Sequence, residues 1–211
     1  MHDTIPIIYE DDAILVVNKP SGLLTVPGRG PEKQDCLIKR LLKPYPNARI
    51  VHRLDQPTSG LVIIALSHAA QKAMGHRFEK REIEKSYVAV VYGLISETAG
   101  EVELPLICDW PNRPRQIVDT VNGKSALTRY KVLNYDTEKQ YTRVALFPFT
   151  GRSHQLRVHM QALGHEILGD QLYAEGPALE ASSRLLLHAS HLKFLHPISE
   201  QSLEFHSPPP F

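Results

Sequence analysis

Apolar positions along this chain fall into short runs separated by polar stretches rich in glycine and proline. Ile14-Leu15-Val16-Val17 stops at Asn18-Lys19-Pro20-Ser21-Gly22, and Leu61-Val62-Ile63-Ile64-Ala65-Leu66 begins after Asp55-Gln56-Pro57-Thr58-Ser59-Gly60. Short apolar runs bounded by turn residues read as core strands. Ser67 can cap a helix whose Ala70, Ala73, Met74 and Phe78 recur at helical spacing. A shorter helix is predicted over 36–42, between loops at 27–31 and 44–47. Residues 87–92, β-branched and aromatic, predict a strand ended by Gly93.

The second half is richer in strands. Residues 127–134 and 140–147 flank Tyr135-Asp136-Thr137-Glu138-Lys139, which predicts an antiparallel hairpin. Thr150-Gly151-Arg152-Ser153 reads as a turn, with Ser153 capping a helix that carries Leu156, Met160 and Leu163 and stops at Gly164. Residues 184–195 and 202–205 close the series as strands, followed by a proline-rich tail. The elements do not alternate as regular βαβ units, so a doubly wound parallel sheet is not expected. The prediction is an α+β fold: one domain over 1–211, on a largely antiparallel mixed sheet with flanking helices.

Bulk composition narrows the class. With 211 residues, 42% of them hydrophobic, the chain can bury one substantial core. No apolar stretch approaches a membrane span, and the opening Met1-His2-Asp3-Thr4 lacks the basic-then-apolar order of a secretory signal. Two cysteines, Cys36 and Cys108, can make neither a disulfide framework nor a four-cysteine zinc site. A cytoplasmic protein without a membrane or protein partner is expected. The net charge of +1 conceals local imbalance. Between 110 and 131, Arg113, Arg115, Lys124, Arg129 and Lys131 face only Asp119; between 71 and 86, Lys72, Arg77, Lys80, Arg81 and Lys85 face three glutamates. Such patches suit RNA without requiring it.

Common catalytic machineries are missing: no glycine-rich phosphate loop, no His-Glu-x-x-His motif, no serine elbow. The chain has eleven histidines, but His154 and His159 do not share a helix face, and His188 and His191 lack a cysteine or carboxylate at ligand spacing. No metal and no cofactor are expected. What remains is Asp55 on a turn beside His52 and Arg53, with Arg152 and Tyr87 further on. Each also has an ordinary reading, as a turn aspartate, a surface arginine at a helix start and a half-buried core tyrosine. A carboxylate can act covalently at a glycosidic carbon, and an arginine beside it would keep it ionised. A glycosidase is disfavoured because no second carboxylate has a comparable setting.

Taken together, Lys19-Pro20-Ser21-Gly22, His52-Arg53-Leu54-Asp55 with Thr58-Ser59-Gly60, Lys85-Ser86-Tyr87, the run from Gly151-Arg152-Ser153 through His159, and Leu185-Leu186-Leu187-His188-Ala189 resemble the RluA-type pseudouridine synthases. The stretches stand in family order from residue 14 to about 195. The segment from Leu104 to Pro114, around Trp110, resembles the short branch of that family, which lacks an S4-like N-terminal RNA-binding domain.

The resemblance implies an RNA pseudouridine synthase, an isomerase that cuts the N-glycosidic bond of a uridine, turns the uracil and rejoins it through carbon. It implies Asp55 as catalytic carboxylate, Arg152 as its partner, Tyr87 as the ring that stacks on the base and Leu187 as a wall of the base pocket. Arg53 would enter the RNA stack where the base leaves, while His52 and Lys19 support the site. Substrates implied by the branch are structured RNAs, a 23S ribosomal RNA hairpin loop and a tRNA anticodon stem-loop. A synthase confined to one of these RNAs, or a non-catalytic RNA-binding module, is the competing expectation. Arg113, Arg115 and Lys124 are expected to contact RNA beyond the target loop.

Overall fold

The computed structural model describes residues 4–211. In chain order the elements are β1 (Ile7–Glu10), β2 (Ile14–Lys19), α1 (Leu37–Leu41), β3 (Arg49–Ile50), β4 (Ser59–Ala65), α2 (His68–Glu79), β5 (Glu84–Tyr92), β6 (Ala99–Glu103), β7 (Leu106–Cys108) and β8 (Gln116–Val118). Then come β9 (Leu127–Asp136), β10 (Tyr141–Pro148), α3 (Gln155–Ala162), α4 (Gly176–Glu180), β11 (Leu187–Leu195) and β12 (Ser202–His206). Residues group into two compact units, one running up to Lys85 and resuming at Ala189–Pro210, the other Ser86–His188 with Phe211.

The first unit is built on strands in the order β1-β2-β4-β11, with β12 added to β11 and β3 to β4. Strand β2 runs on through Asn18 and Lys19, two residues assigned to a turn from sequence, because they pair with Leu61 and Gly60 of β4. Ile14, Val16, Leu61, Ile63 and Ala65 pack with Ala70 and Met74 of α2. The intervening Leu15, Val17, Val62 and Ile64 are buried as well. Burial of both faces is why these strands read as unbroken apolar runs instead of alternating ones. Helix α2 starts where expected: the Ser67 side chain accepts a hydrogen bond from the Ala70 amide.

In the second unit the order is β5-β10-β9-β6, with β7 and β8 forming a separate hairpin. The three pairings along this order, and the hairpin, are antiparallel. Alternation along β5 serves two layers. Ala89 and Val91 join Leu156 and Met160 of α3, while Val90 and Tyr92 pack toward Leu168, Ala174 and Ala178. The hairpin predicted from 127–147 is present as β9 and β10; β9 starts at Leu127 as expected and runs two residues further into the turn, while β10 is shifted by one residue.

Helix α3 departs from expectation at its start. Ser153 does not cap it; the capping position is His154, in the left-handed region at φ 53°, and no side chain bonds the first turn from there. Its end follows the sequence: Gly164 takes φ 78°, and the amides of Gly164 and His165 reach back to the carbonyls of Gln161 and Met160. Strands β1, β3 and β6, the β7–β8 hairpin and α4 were not anticipated from the sequence. Each is short or polar on its exposed face. No helix among the described residues is long and apolar enough to cross a membrane.

Gly60 is the tightest point of the first unit. It takes φ 117°, and a Cβ built there would run into the backbone nitrogen and carbonyl of Ala189. Gly60→Ala is therefore expected to cost about 3 kcal/mol or more, combining left-handed strain with overpacking. Urea unfolding checks this; a midpoint within experimental error of the parent would contradict it.

Candidate active site

Asp55 stands at the start of a tight turn whose backbone is held from several sides. The Thr58 amide donates to the Asp55 carbonyl at 3.1 Å. One residue earlier, the Thr25 hydroxyl donates to the Leu54 carbonyl at 2.8 Å and accepts from the Leu54 amide at 3.2 Å. Beneath the turn lies Lys19, with no exposed surface. Its Nζ donates to the carbonyls of Pro20 (3.0 Å), Leu23 (2.6 Å) and Gln56 (3.1 Å). Bonding three acceptor-only carbonyls takes all three hydrogens of an ammonium. The loop 20–23 is stitched to the same turn by Ser21 to Pro57, Gly22 to Gln56 and the Gln56 side chain to Gly22. Asp55 is half-buried on this platform, and Arg53 is exposed.

His52 turns inward. Its Nε2 accepts from the Ile63 amide at 2.9 Å, and its ring packs 4.6 Å from the Phe78 ring. The residue keeps some accessible surface, but burial of the ring, aided by the positive charge of Lys85, pushes its pKa down to about 3. The imidazole is thus neutral, with its acceptor nitrogen committed to the backbone of β4. It braces the strand that follows the turn.

The second unit carries Arg152, Tyr87 and Leu187. The turn bearing Arg152 is organised by Gln155, whose buried amide uses its full hydrogen-bonding capacity. Oε1 accepts from the Thr150 hydroxyl (2.7 Å) and the Arg152 amide (3.1 Å), while Nε2 donates to the Leu127 carbonyl and the Thr128 hydroxyl, both at 3.0 Å. From Thr128 the chain of bonds continues to His159 Nδ1, and His159 Nε2 reaches the Leu104 carbonyl. Since a carbonyl only accepts, Nε2 carries the proton and Nδ1 accepts from Thr128. The Arg152 guanidinium donates through Nε to the Ser125 carbonyl at 3.1 Å, and the residue is exposed. Tyr87 sits opposite Leu146 on β5, and its ring packs against the apolar cluster that contains Leu187. The structure therefore brings Tyr87 and Leu187 together on one cluster.

Two residues after Gln155, Arg157 opens a buried ion pair that the sequence did not signal. Arg157 forks onto Asp170 through Nε at 2.7 Å and Nη2 at 2.6 Å, with side chains 2% and 1% exposed. Asp170 also accepts from the amides of Leu172 and Tyr173. The Tyr173 hydroxyl accepts from the Gln116 amide at 2.8 Å and bonds His154 Nδ1 at 2.6 Å. These bonds tie the start of α3 to the β7–β8 hairpin. That hairpin presents Arg113 stacked over the exposed Trp110 at 4.4 Å and Arg115 over Tyr173 at 5.6 Å. Lys124 is exposed on the turn that follows and pairs its backbone with Leu106.

Residues 13–162 match the family model described as RNA pseudouridylate synthase. Over 97% of its length the chain is 52% identical to the dual-specificity RNA pseudouridine synthase RluA of Escherichia coli K12, and the match covers 93% of that protein. The chain belongs to the RNA pseudouridylate synthase family. The RluA protein of Yersinia pestis is also 52% identical, over 90% of this chain and 92% of its own. Among solved structures, human RNA pseudouridylate synthase domain containing 1 matches 99% of this chain and 85% of its own with a TM-score of 0.82 at 31% identity. The human domain containing 4 shares the fold at a TM-score of 0.76. The expectation of an α+β, mostly antiparallel RluA-type synthase holds, and RNA is the substrate of this isomerase.

A pseudouridine synthase needs rigid placement more than many reacting groups, because it rearranges a nucleotide without adding or removing atoms. Lys19, Thr25 and His52 supply rigidity to the turn of Asp55; Gln155, Thr150 and Thr128 supply it to the turn of Arg152. The lowered pKa of His52 makes the first of these sensitive to acid. An unfolded chain protonates this histidine near its ordinary value of 6.5, whereas the folded chain waits until about 3. Stability from this group is thus full above pH 6.5 and is drawn down as pH falls toward 3. His159, lowered by burial, works in the same sense. His52→Gln, which keeps an acceptor for Ile63, is expected to flatten the fall of Tm between pH 6.5 and 4; parallel pH profiles for parent and variant would contradict it.

Proposed function

We propose that this synthase isomerises loop uridines in both a 23S ribosomal RNA hairpin and a tRNA anticodon stem-loop, in the cytoplasm, with residues 1–211 acting as one catalytic domain. Support comes from the 52% identity to relatives named dual-specificity synthases, over nearly the whole of both chains. In this reading Asp55 is the catalytic carboxylate and Arg152 the cation that keeps it ionised and oriented. The observation that carries the role of Asp55 is its half-exposed position on a turn locked from below by a buried ammonium.

The reaction breaks the bond between ribose C1′ and uracil N1 and forms one from C1′ to C5. The proton leaving C5 is balanced by one gained at N1, so nothing is consumed. An ionised carboxylate serves equally for attack on the ribose, attack on the base ring or removal of a ribose proton. The detached uracil has to be held: Tyr87 would stack on it and Leu187 close the pocket. Arg53, exposed beside the catalytic turn, would fill the gap left in the RNA. A loop uridine costs less to unstack than one in a duplex, which favours hairpin loops as targets. Arg113, Arg115 and Lys124, on and beside a hairpin pinned to α3, would hold the RNA backbone beyond the loop.

Asp55→Asn is expected to lower pseudouridine formation at least about a thousandfold, while RNA affinity stays within about twofold. Arg152→Ala should lower the rate about a hundredfold, with partial recovery in Arg152→Lys. Turnover on anticodon stem-loop and ribosomal hairpin transcripts, with and without each change, measures both. Normal turnover by the Asp55 variant would remove the catalytic assignment. Activity on only one of the two RNAs would restrict the substrate class.

A further inference from the structure

Strand pairing in the first unit assembles a ligand set that sequence spacing hides. His191 of β11 stands directly opposite His206 of β12, and Glu204 lies two residues before His206 on the same face of that strand. Their rings lie side by side, with centroids 4.6 Å apart and planes at 31°. Both imidazoles aim Nε2 at one oxygen: His191 Nε2 is 3.0 Å and His206 Nε2 is 3.4 Å from Glu204 Oε1. The three ligand atoms all lie within 4.8 Å of one another.

We propose that His191, Glu204 and His206 form a zinc site that staples β12 to β11. A zinc ion with bonds of about 2.0–2.1 Å in tetrahedral geometry holds its ligand atoms about 3.3 Å apart. The two separations to Glu204, 3.0 and 3.4 Å, bracket that value before any side chain moves, and the two imidazole nitrogens lie within 4.8 Å of each other. Two imidazoles with one carboxylate are a borderline donor set suited to zinc, and the fourth position falls to water because Glu204 and His206 are exposed. Binding requires the Nδ1–H tautomer of each ring, leaving Nε2 for the ion. Magnesium, which prefers oxygen ligands, is disfavoured. Lys193 faces Glu204 across the strand pair and is the positive charge with which the ion shares that carboxylate.

Such a site has a mechanical consequence. Strand β12 pairs with β11 and with no other strand among the described residues. An ion bridging them would add a cross-strand link to the edge of the unit that carries Asp55, without touching the catalytic turn. Binding to the folded chain alone raises its stability by mass action.

The test uses the full chain, stripped of metal with chelator and titrated with zinc chloride. One zinc per chain should bind in the micromolar range and raise Tm, and cobalt(II) in its place should give visible d–d absorption from nitrogen and oxygen ligands. Glu204→Gln and His206→Ala are exposed changes that should each weaken zinc at least about tenfold, the scale on which even outer-sphere changes act. His76→Ala, at an exposed histidine of α2, should bind as the parent does. Absence of saturable one-to-one binding, or parent-like binding in both Glu204 and His206 variants, would overturn the site.

Discussion

Burying an ammonium in a protein costs several kcal/mol unless its hydrogens find acceptors. Lys19 meets that demand with the carbonyls of Pro20, Leu23 and Gln56, each charge-assisted bond contributing about 1.5–3 kcal/mol. Because those carbonyls belong to two loops far apart in sequence, satisfying one side chain forces the loops together. The turn that carries Asp55 is one of those two loops, since the Gln56 carbonyl belongs to it. Its position follows from strand β2, which ends on Lys19, and strand β4, which begins just after the turn.

The second unit solves the same problem without a charge at its centre. Gln155 donates two bonds and accepts two, so the turn before α3 is held by an amide with nothing left unsatisfied. Those bonds fix the turn ahead of the helix, which the chain enters through His154 in a left-handed conformation. Two residues on from Gln155, the Arg157–Asp170 pair fixes the segment after the helix. A buried pair of this kind stabilises little by itself, but losing either partner strands the other charge. Its value here is geometric: through Tyr173 it connects α3 to the hairpin of Arg113 and Arg115.

These supports suit an isomerase. A reaction with no co-substrate places its demands on holding a loosened base and, in the proposed reading, on keeping one carboxylate in place. The chain accordingly spends its buried polar groups on backbone carbonyls and amides around two turns. The side chains proposed for chemistry and RNA contact, Asp55, Arg53 and Arg152, remain half-buried or exposed on those turns.

The sequence alone carried what repeats locally. Apolar runs marked β2 and β4, helical spacing and Ser67 marked α2, and the ordered motifs marked the family and its candidate residues. Local periodicity records which face of an element is buried, and turn residues record where it stops. Partners drawn from other elements leave no such trace. Gln155 looked like one polar residue in a motif, and Arg157 and Asp170 looked like unrelated charges. His191 appeared to lack a carboxylate because Glu204 reaches it across a strand pair and not along the chain. The tertiary structure decided these, because hydrogen bonds and ion pairs depend on distance in space, and only strand register and helix packing convert sequence separation into that distance.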